Sequence, residues 1–153
     1  MLELTSNSAI ETVNLGKILA KVLKEKDVVL LEGALGGGKT TFAKGVLKGL
    51  GYRHRVLSPS FTLIRQYKLR SLLVYHIDLY RLESKDIFEL GLDDFLSAAK
   101  TMTLIEWGNK IARELNKYLR VEFAFKSRES RRIRIFAKGY SQEDFNMVKK
   151  AYK

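Results

Sequence analysis

The chain has 153 residues, with 28 Lys or Arg against 17 Asp or Glu and a net charge of +11. That length fits one domain, residues 1–153, able to bury a core without covalent staples. Cysteine is absent, which excludes disulfides, a thiolate nucleophile and a Cys-based zinc site; with no basic-then-apolar leader and no membrane-length apolar run, a soluble, unprocessed cytoplasmic protein is expected.

The opening LELT reads as a short edge strand. Ser8 and Glu11 then fit a capping box, and Val13, Leu15, Ile18, Leu19, Val22 and Leu23 recur at helical spacing, so a helix is expected over 8–24. Asp27 to Glu32 has the unbroken apolar run of a fully buried strand. Gly33 to Thr41 follow as GALGGGKTT, with a helix over 39–50 closed by Gly49 and Gly51. A strand, a glycine-rich turn and a helix start in that order form a P-loop. The glycines let successive backbone N–H groups converge on phosphate oxygens where the helix dipole is positive. Lys39 adds a mobile cation, and the Thr40 hydroxyl suits Mg²⁺ bridging the β- and γ-phosphates. A plain tight turn, the bland alternative, needs one or two glycines and not this set.

Residues 53–70 read as irregular and hold the only proline, in SPSFTLIRQY, a serine- and threonine-bearing loop suited to act as a switch. Leu72 to Tyr80 reads as a strand, 84–98 as one or two short helices broken at Gly91, Thr101 to Trp107 as a third apolar strand and 109–117 as a helix. Leu119–Lys126 and Arg131–Lys138 alternate apolar and polar residues around SRES, the pattern of a β-hairpin with one wet, basic face. An amphipathic helix at 142–152 ends the pattern. Residues 109–153 hold 13 basic and 5 acidic side chains, so this tail carries +8 of the total charge. Such a concentration favours polyanions or acidic protein surfaces; a solvated lysine-rich face is the alternative.

Alternating strands and helices predict an α/β, P-loop NTPase-like three-layer fold. Its mainly parallel central sheet would be extended by a C-terminal antiparallel hairpin, with nucleotide at the strands' carboxyl ends. Hydrolysis also needs a held metal and an oriented water. Asp78 and Glu106, each ending an apolar strand, are the candidates for both roles, a strand-end ion pair being the alternative for each. His76 shares the strand face of Asp78 and either orders that carboxylate or completes a hydrogen-bond network. Arg81 is either an arginine finger or a structural pair, and Trp107 reads first as core packing. Asn109-Lys110-Ile111-Ala112 starts like the guanine-selecting NKxD but lacks its aspartate, which leaves ATP as the default.

LLEGALGGGKTTFAKG, SPSFTLIRQY, YHIDLYRL and LIEW together resemble, in order and spacing, the bacterial TsaE (YjeE) family over residues 8 to 107. The resemblance implies a small Mg²⁺-dependent ATPase, slow without partners, that works with the TsaB and TsaD proteins in forming threonylcarbamoyladenosine at position 37 of tRNA. It also implies that Gly33 and Gly36, Gly37, Gly38, Lys39, Thr40 and Thr41 bind the triphosphate, that Thr40 and Glu106 hold Mg²⁺, and that Asp78 supports metal or water. Ser58 to Thr62 would be a nucleotide-sensitive switch, and Ser8 and Thr12 would lie near the adenine. Two departures stand out: Ser60 replaces a frequent Thr and keeps its hydroxyl, and Gly108 replaces a frequent Pro, which loosens the turn after Glu106. The basic hairpin lies outside the resemblance and offers a possible tRNA contact. A small-molecule kinase using the same loop, or a tRNA-binding accessory module, are the competing readings; an acceptor lid and an arginine-lined pocket are not evident in the sequence.

Overall fold

A computed structural model describes residues 1–153, with the side chain of Phe88 set aside. Its centre is a seven-stranded sheet in the order β1-β7-β6-β2-β5-β4-β3. The strands are β1 (Leu2–Ser6), β2 (Val28–Gly33), β3 (Ile64–Lys68), β4 (Leu73–Asp78), β5 (Thr101–Glu106), β6 (Tyr118–Phe125) and β7 (Arg131–Lys138). The four middle strands, β6-β2-β5-β4, run parallel, whereas β3 and the β7–β1 pair run antiparallel at the two edges. The sheet is therefore parallel where the site lies and antiparallel at its margins. The expected hairpin is present but joins through a parallel β2–β6 pair, so its first strand extends the parallel core and only its second reverses.

Two cores make the fold three-layered. On one face Leu19, Phe42, Val46, Leu47, Phe145 and Val148 from α1 (Ala9–Ala20), α2 (Lys39–Gly49) and α5 (Gln142–Ala151) pack on Val29, Leu31, Leu104, Val121 and Ile133. On the other, Ile87 of α3 (Ser84–Glu89), Leu92 of α4 (Leu92–Ser97) and Ile111 cover Val28, Leu30, Ile77 and Ile105. Residues of β2 thus alternate between two apolar layers, which is why its sequence shows no polar face. The helices α3 and α4 break at Gly91, which adopts a φ of 62°.

Three expectations need correction. The first helix ends at Ala20 and not at residue 24: Lys21 and Val22 continue only through three-residue turns, and the Asp27 carboxylate accepts from the Lys24 amide at 2.7 Å to fix the bend into β2. The stretch expected to be irregular contains β3, a polar edge strand that exists by pairing with β4. No α-helix forms over 109–117; a 3₁₀ turn at Gly108–Lys110 continues through i→i+3 bonds from Ile111 to Gly108 and Glu114 to Ile111. The Lys110 side chain is committed to the carbonyls of Leu79, Tyr80 and Leu82, and this tertiary tie holds the segment in the turn against its helical pattern.

Candidate functional site

The loop after β2 is shaped by its glycines. Gly36 and Gly38 hold φ values of 70° and 111°, a region closed to most side chains. Between them, the Gly37 amide donates to the Ala34 carbonyl at 3.0 Å, and a Cβ on Gly37 would lie 2.8 Å from that oxygen. The helix α2 then begins with no side-chain cap and no acidic residue in its first turn. Its orphan amides and positive dipole end face a cleft of about 310 Å³ lined by Gly36 to Thr41, Asp78, Glu106 and Trp107. This is the local chemistry of an anion site.

Lys39 is buried, and its Nζ donates to the Gly33 carbonyl at 2.6 Å and the Ala34 carbonyl at 2.9 Å while lying 4.3 Å from the centre of the Trp107 ring. Burial pushes its pKa down, and Glu106 and Asp78 oppose that shift. Trp107 is therefore a wall of the cleft as well as part of the second core. Its own backbone sits in the left-handed region at φ 60°, anchored by its amide to the Leu31 carbonyl at 2.9 Å. A non-glycine residue held there stores of order 1–2 kcal/mol.

Both candidate carboxylates arrive at the cleft because their strands end there in register. Asp78 and Glu106 are partners across the β4–β5 ladder, and Glu106 pairs with Leu31 on the P-loop strand. Glu106 Oε1 accepts from the Thr40 hydroxyl at 2.7 Å and from His76 Nε2 at 2.9 Å. His76, fully buried, thus bonds Glu106 and not Asp78, completing a hydrogen-bond network, the second of the two roles its position allowed. Asp78 instead accepts from the Ser60 hydroxyl at 2.8 Å on Oδ2 and from the Tyr80 amide at 2.8 Å on Oδ1. Ser60 in turn shares a 2.7 Å hydrogen bond with Ser58, whose carbonyl accepts from Arg65 Nε at 3.0 Å. The serine loop is thereby wired to one acid and the P-loop helix to the other. Thr40 Oγ1 and the two carboxylates are hard oxygen donors of the kind Mg²⁺ takes, so the residues present fit that ion together with a phosphate chain.

Gly33, Lys39, Thr40 and Thr41 all fall at the loop or in the first turn of α2. Ser8 and Thr12 do not line the cleft. Ser8 caps α1 by accepting from the Glu11 amide at 3.1 Å, and buried Thr12 bonds the Ser6 hydroxyl at 2.7 Å. The Thr12 methyl nonetheless backs Gly38, 3.7 Å from where a Cβ would stand, so α1 supports the loop from behind. Arg81 lines the cleft with its guanidinium 5.1 Å from the centre of the Phe61 ring.

Sequence reasoning missed Arg131. Its Nη2 donates to the Gly36 carbonyl at 3.3 Å and its guanidinium stacks 4.2 Å from the Phe125 ring, bringing the basic hairpin to the mouth of the loop. Ninety-five positions separate the two residues, and no local pattern signals such a contact. Gly108, expected to loosen the turn after Glu106, has a different role: a Cβ there would lie 2.6 Å from the Leu30 Cβ, so this glycine serves a close approach to the P-loop strand.

Residues 6–133 match the family model described as Threonylcarbamoyl adenosine biosynthesis protein TsaE. A protein of Treponema pallidum named tRNA threonylcarbamoyladenosine biosynthesis protein TsaE is 42% identical over 114 residues, 74% of this chain and 83% of that protein. The proteins of that name from Nostoc sp. and Bacillus subtilis are 36% and 43% identical, the alignments covering 81% and 69% of this chain and 78% and 65% of theirs. The crystal structure of Bacillus subtilis YdiB superimposes with a TM-score of 0.78 at 29% identity, covering 99% of this chain and 93% of that one. The glycine loop, the paired strand-end acids and the serine loop thus sit in a fold shared with that structure. The chain belongs to the TsaE family, whose members are named for tRNA threonylcarbamoyladenosine biosynthesis.

Proposed function

We propose that this chain is a cytoplasmic Mg²⁺-dependent ATPase that supports the TsaB and TsaD proteins in forming threonylcarbamoyladenosine at position 37 of tRNA. The observation that carries this reading is the 2.7 Å bond between Thr40 and Glu106 at the uncapped start of α2, with Asp78 as the next strand end. Bound Mg²⁺ would supply charge neutralisation for the β- and γ-phosphates. Thr40 and Glu106 would hold it, their present bond marking oxygens already brought together. The amides around Gly36 to Gly38 would receive phosphate oxygens, and the Lys39 ammonium would exchange its two carbonyl partners for the phosphate chain. Asp78 would orient water or the metal's shell, and because Ser60 and Tyr80 bond it, a change at this acid would reach the serine loop. His76 would keep Glu106 in place, donating through Nε2. ATP is favoured over GTP because position 112 of NKIA is alanine and provides no carboxylate for a guanine edge.

Partner dependence has its own support in the rim of the cleft. Leu35 and Tyr80 line it and are exposed, and Phe61, 86% exposed, and Phe125, also exposed, lie beside it against Arg81 and Gly36 respectively. Large apolar side chains gathered round a charged cleft suit a protein surface that closes over it. The basic tip of the hairpin, beside the same mouth through Arg131, favours a direct tRNA contact as a second role.

Mixing the chain with purified TsaB and TsaD, with and without tRNA, tests this reading. Complex formation and an ATP turnover above that of the chain alone are expected; turnover and product formation indifferent to the partners would overturn it.

A further inference from the structure

Lys110 belongs to no nucleotide signature, yet its ammonium is fully committed. It donates to the carbonyls of Leu79 at 2.8 Å, Tyr80 at 2.9 Å and Leu82 at 2.7 Å, one for each of its N–H groups. These oxygens belong to the turn that follows Asp78, and the ammonium between them offsets the mutual repulsion of three converging carbonyl dipoles. The same turn returns the Tyr80 amide to Asp78 Oδ1 and lays the Tyr80 ring 4.9 Å from that of Trp107. On its other side Lys110 sits in the turn that follows Glu106, its amide donating to the Trp107 carbonyl at 3.2 Å. The Leu79 amide donates to the Glu106 carbonyl at 3.1 Å. One side chain therefore ties the turn after one acid to the turn after the other, beyond the point where strand pairing ends.

We infer that Lys110 is a positioning residue that fixes Asp78, Tyr80 and Trp107 relative to Glu106 by clamping the carbonyls of residues 79, 80 and 82. The inference rests on the reading of Asp78 and Glu106 as the acids of a Mg²⁺-dependent ATPase. Lys110 does not itself line the cleft and meets no reacting atom; of the residues that do line it, Lys110 bonds only the backbone carbonyls of Tyr80 and Trp107. Its effect passes through the turn it holds.

Trp107 is the only tryptophan in the chain and packs on Tyr80, so its emission reports this turn without any nucleotide. The test compares wild type with Lys110→Met, which keeps the apolar stem and loses the donors, and with Lys110→Arg, which keeps charge and donors. Three quantities are read: Trp107 emission of the free protein, binding of a fluorescent ATP analogue in EDTA, and ATP turnover against Mg²⁺ in the presence of TsaB and TsaD. For Lys110→Met we expect a shifted Trp107 emission and metal-free binding close to wild type. Its Mg²⁺ requirement should rise and its kcat fall, each by about 10- to 100-fold, the range for losing a group that orients metal-site residues. Lys110→Arg should recover part of both. Unchanged emission, or a Mg²⁺ requirement equal to wild type, would overturn the inference. So would unfolding of Lys110→Met and Lys110→Gln alike, which would make the lysine a fold-holding group. Absence of Mg²⁺-stimulated turnover in wild type would instead sink the ATPase reading, and the emission comparison would still show whether the clamp exists.

Discussion

Glu106 is tied to Thr40 and to His76 through the same oxygen, so a substitution that preserves its shape isolates its charge. Glu106→Gln is expected to bind ATP nearly as wild type does and to turn it over about 10- to 100-fold more slowly. Equal turnover in a steady-state assay would contradict the assignment. Lys39→Ala removes instead the charge proposed to meet phosphate in the ground state, and should weaken nucleotide binding by about 1.5–3 kcal/mol, roughly 10- to 150-fold in Kd. Calorimetry on the variant would show it, and an unchanged Kd would exclude the lysine from the phosphate site. Glu32, near the end of β2, makes a different point. Its Oε1 is buried without a partner, and burial raises its pKa above the ordinary 4.5. A raised acid holds its proton to higher pH in the folded chain than in the unfolded one. Above the folded value the buried charge therefore costs stability, and that cost fades as pH falls through it towards 4.5. Glu32→Gln should melt higher than wild type at neutral pH, with the gap closing in acid. A gap independent of pH, or a variant that melts lower, would refute this.

At the scale of elements, α1 lies close against α2 because glycines face one another. A Cβ on Gly16 would run into the Phe42 carbonyl and one on Gly45 into the Val13 carbonyl. Backbone cannot yield there as a flexible side chain would. Gly45→Ala should cost about 1–3 kcal/mol, which for a chain of this size lowers the Tm by roughly 2–12 °C; an unaltered Tm would contradict the close approach. The elements that position the site were the ones most legible from sequence. Strands β2, β4 and β5 announce themselves by apolar runs because both sheet faces there are covered, and the glycine loop by composition. Strand β3 was not legible: it is polar and five residues long, with Tyr67 its one buried side chain. The segment after Gly108 showed a helical pattern, but Lys110 is drawn to the carbonyls of the 79–82 turn, a commitment no local pattern encodes. In the site, residue types at strand ends predicted Asp78 and Glu106, whereas Arg131 and the true partner of His76 depended on strand order. Contacts made across the sheet are set by topology and not by spacing along the chain.

For the whole molecule, the arrangement places charge and chemistry at one end. The parallel strands deliver the P-loop and both acids to their carboxyl ends, and the hairpin folds back so that its basic tip stands beside the same mouth. Among the described residues no helix is long and apolar enough to cross a membrane. The exposed apolar rim and the positive tip border one cleft, so nucleotide, protein partner and polyanion would meet at a common surface. All of this depends on the loop between β2 and α2 receiving a triphosphate. The most direct test is a calorimetric titration of the chain with ATP and Mg²⁺, run beside Lys39→Ala. Saturable binding of one nucleotide per chain, strengthened by Mg²⁺ and weakened in the variant, is the predicted result; no saturable association in wild type would contradict the account.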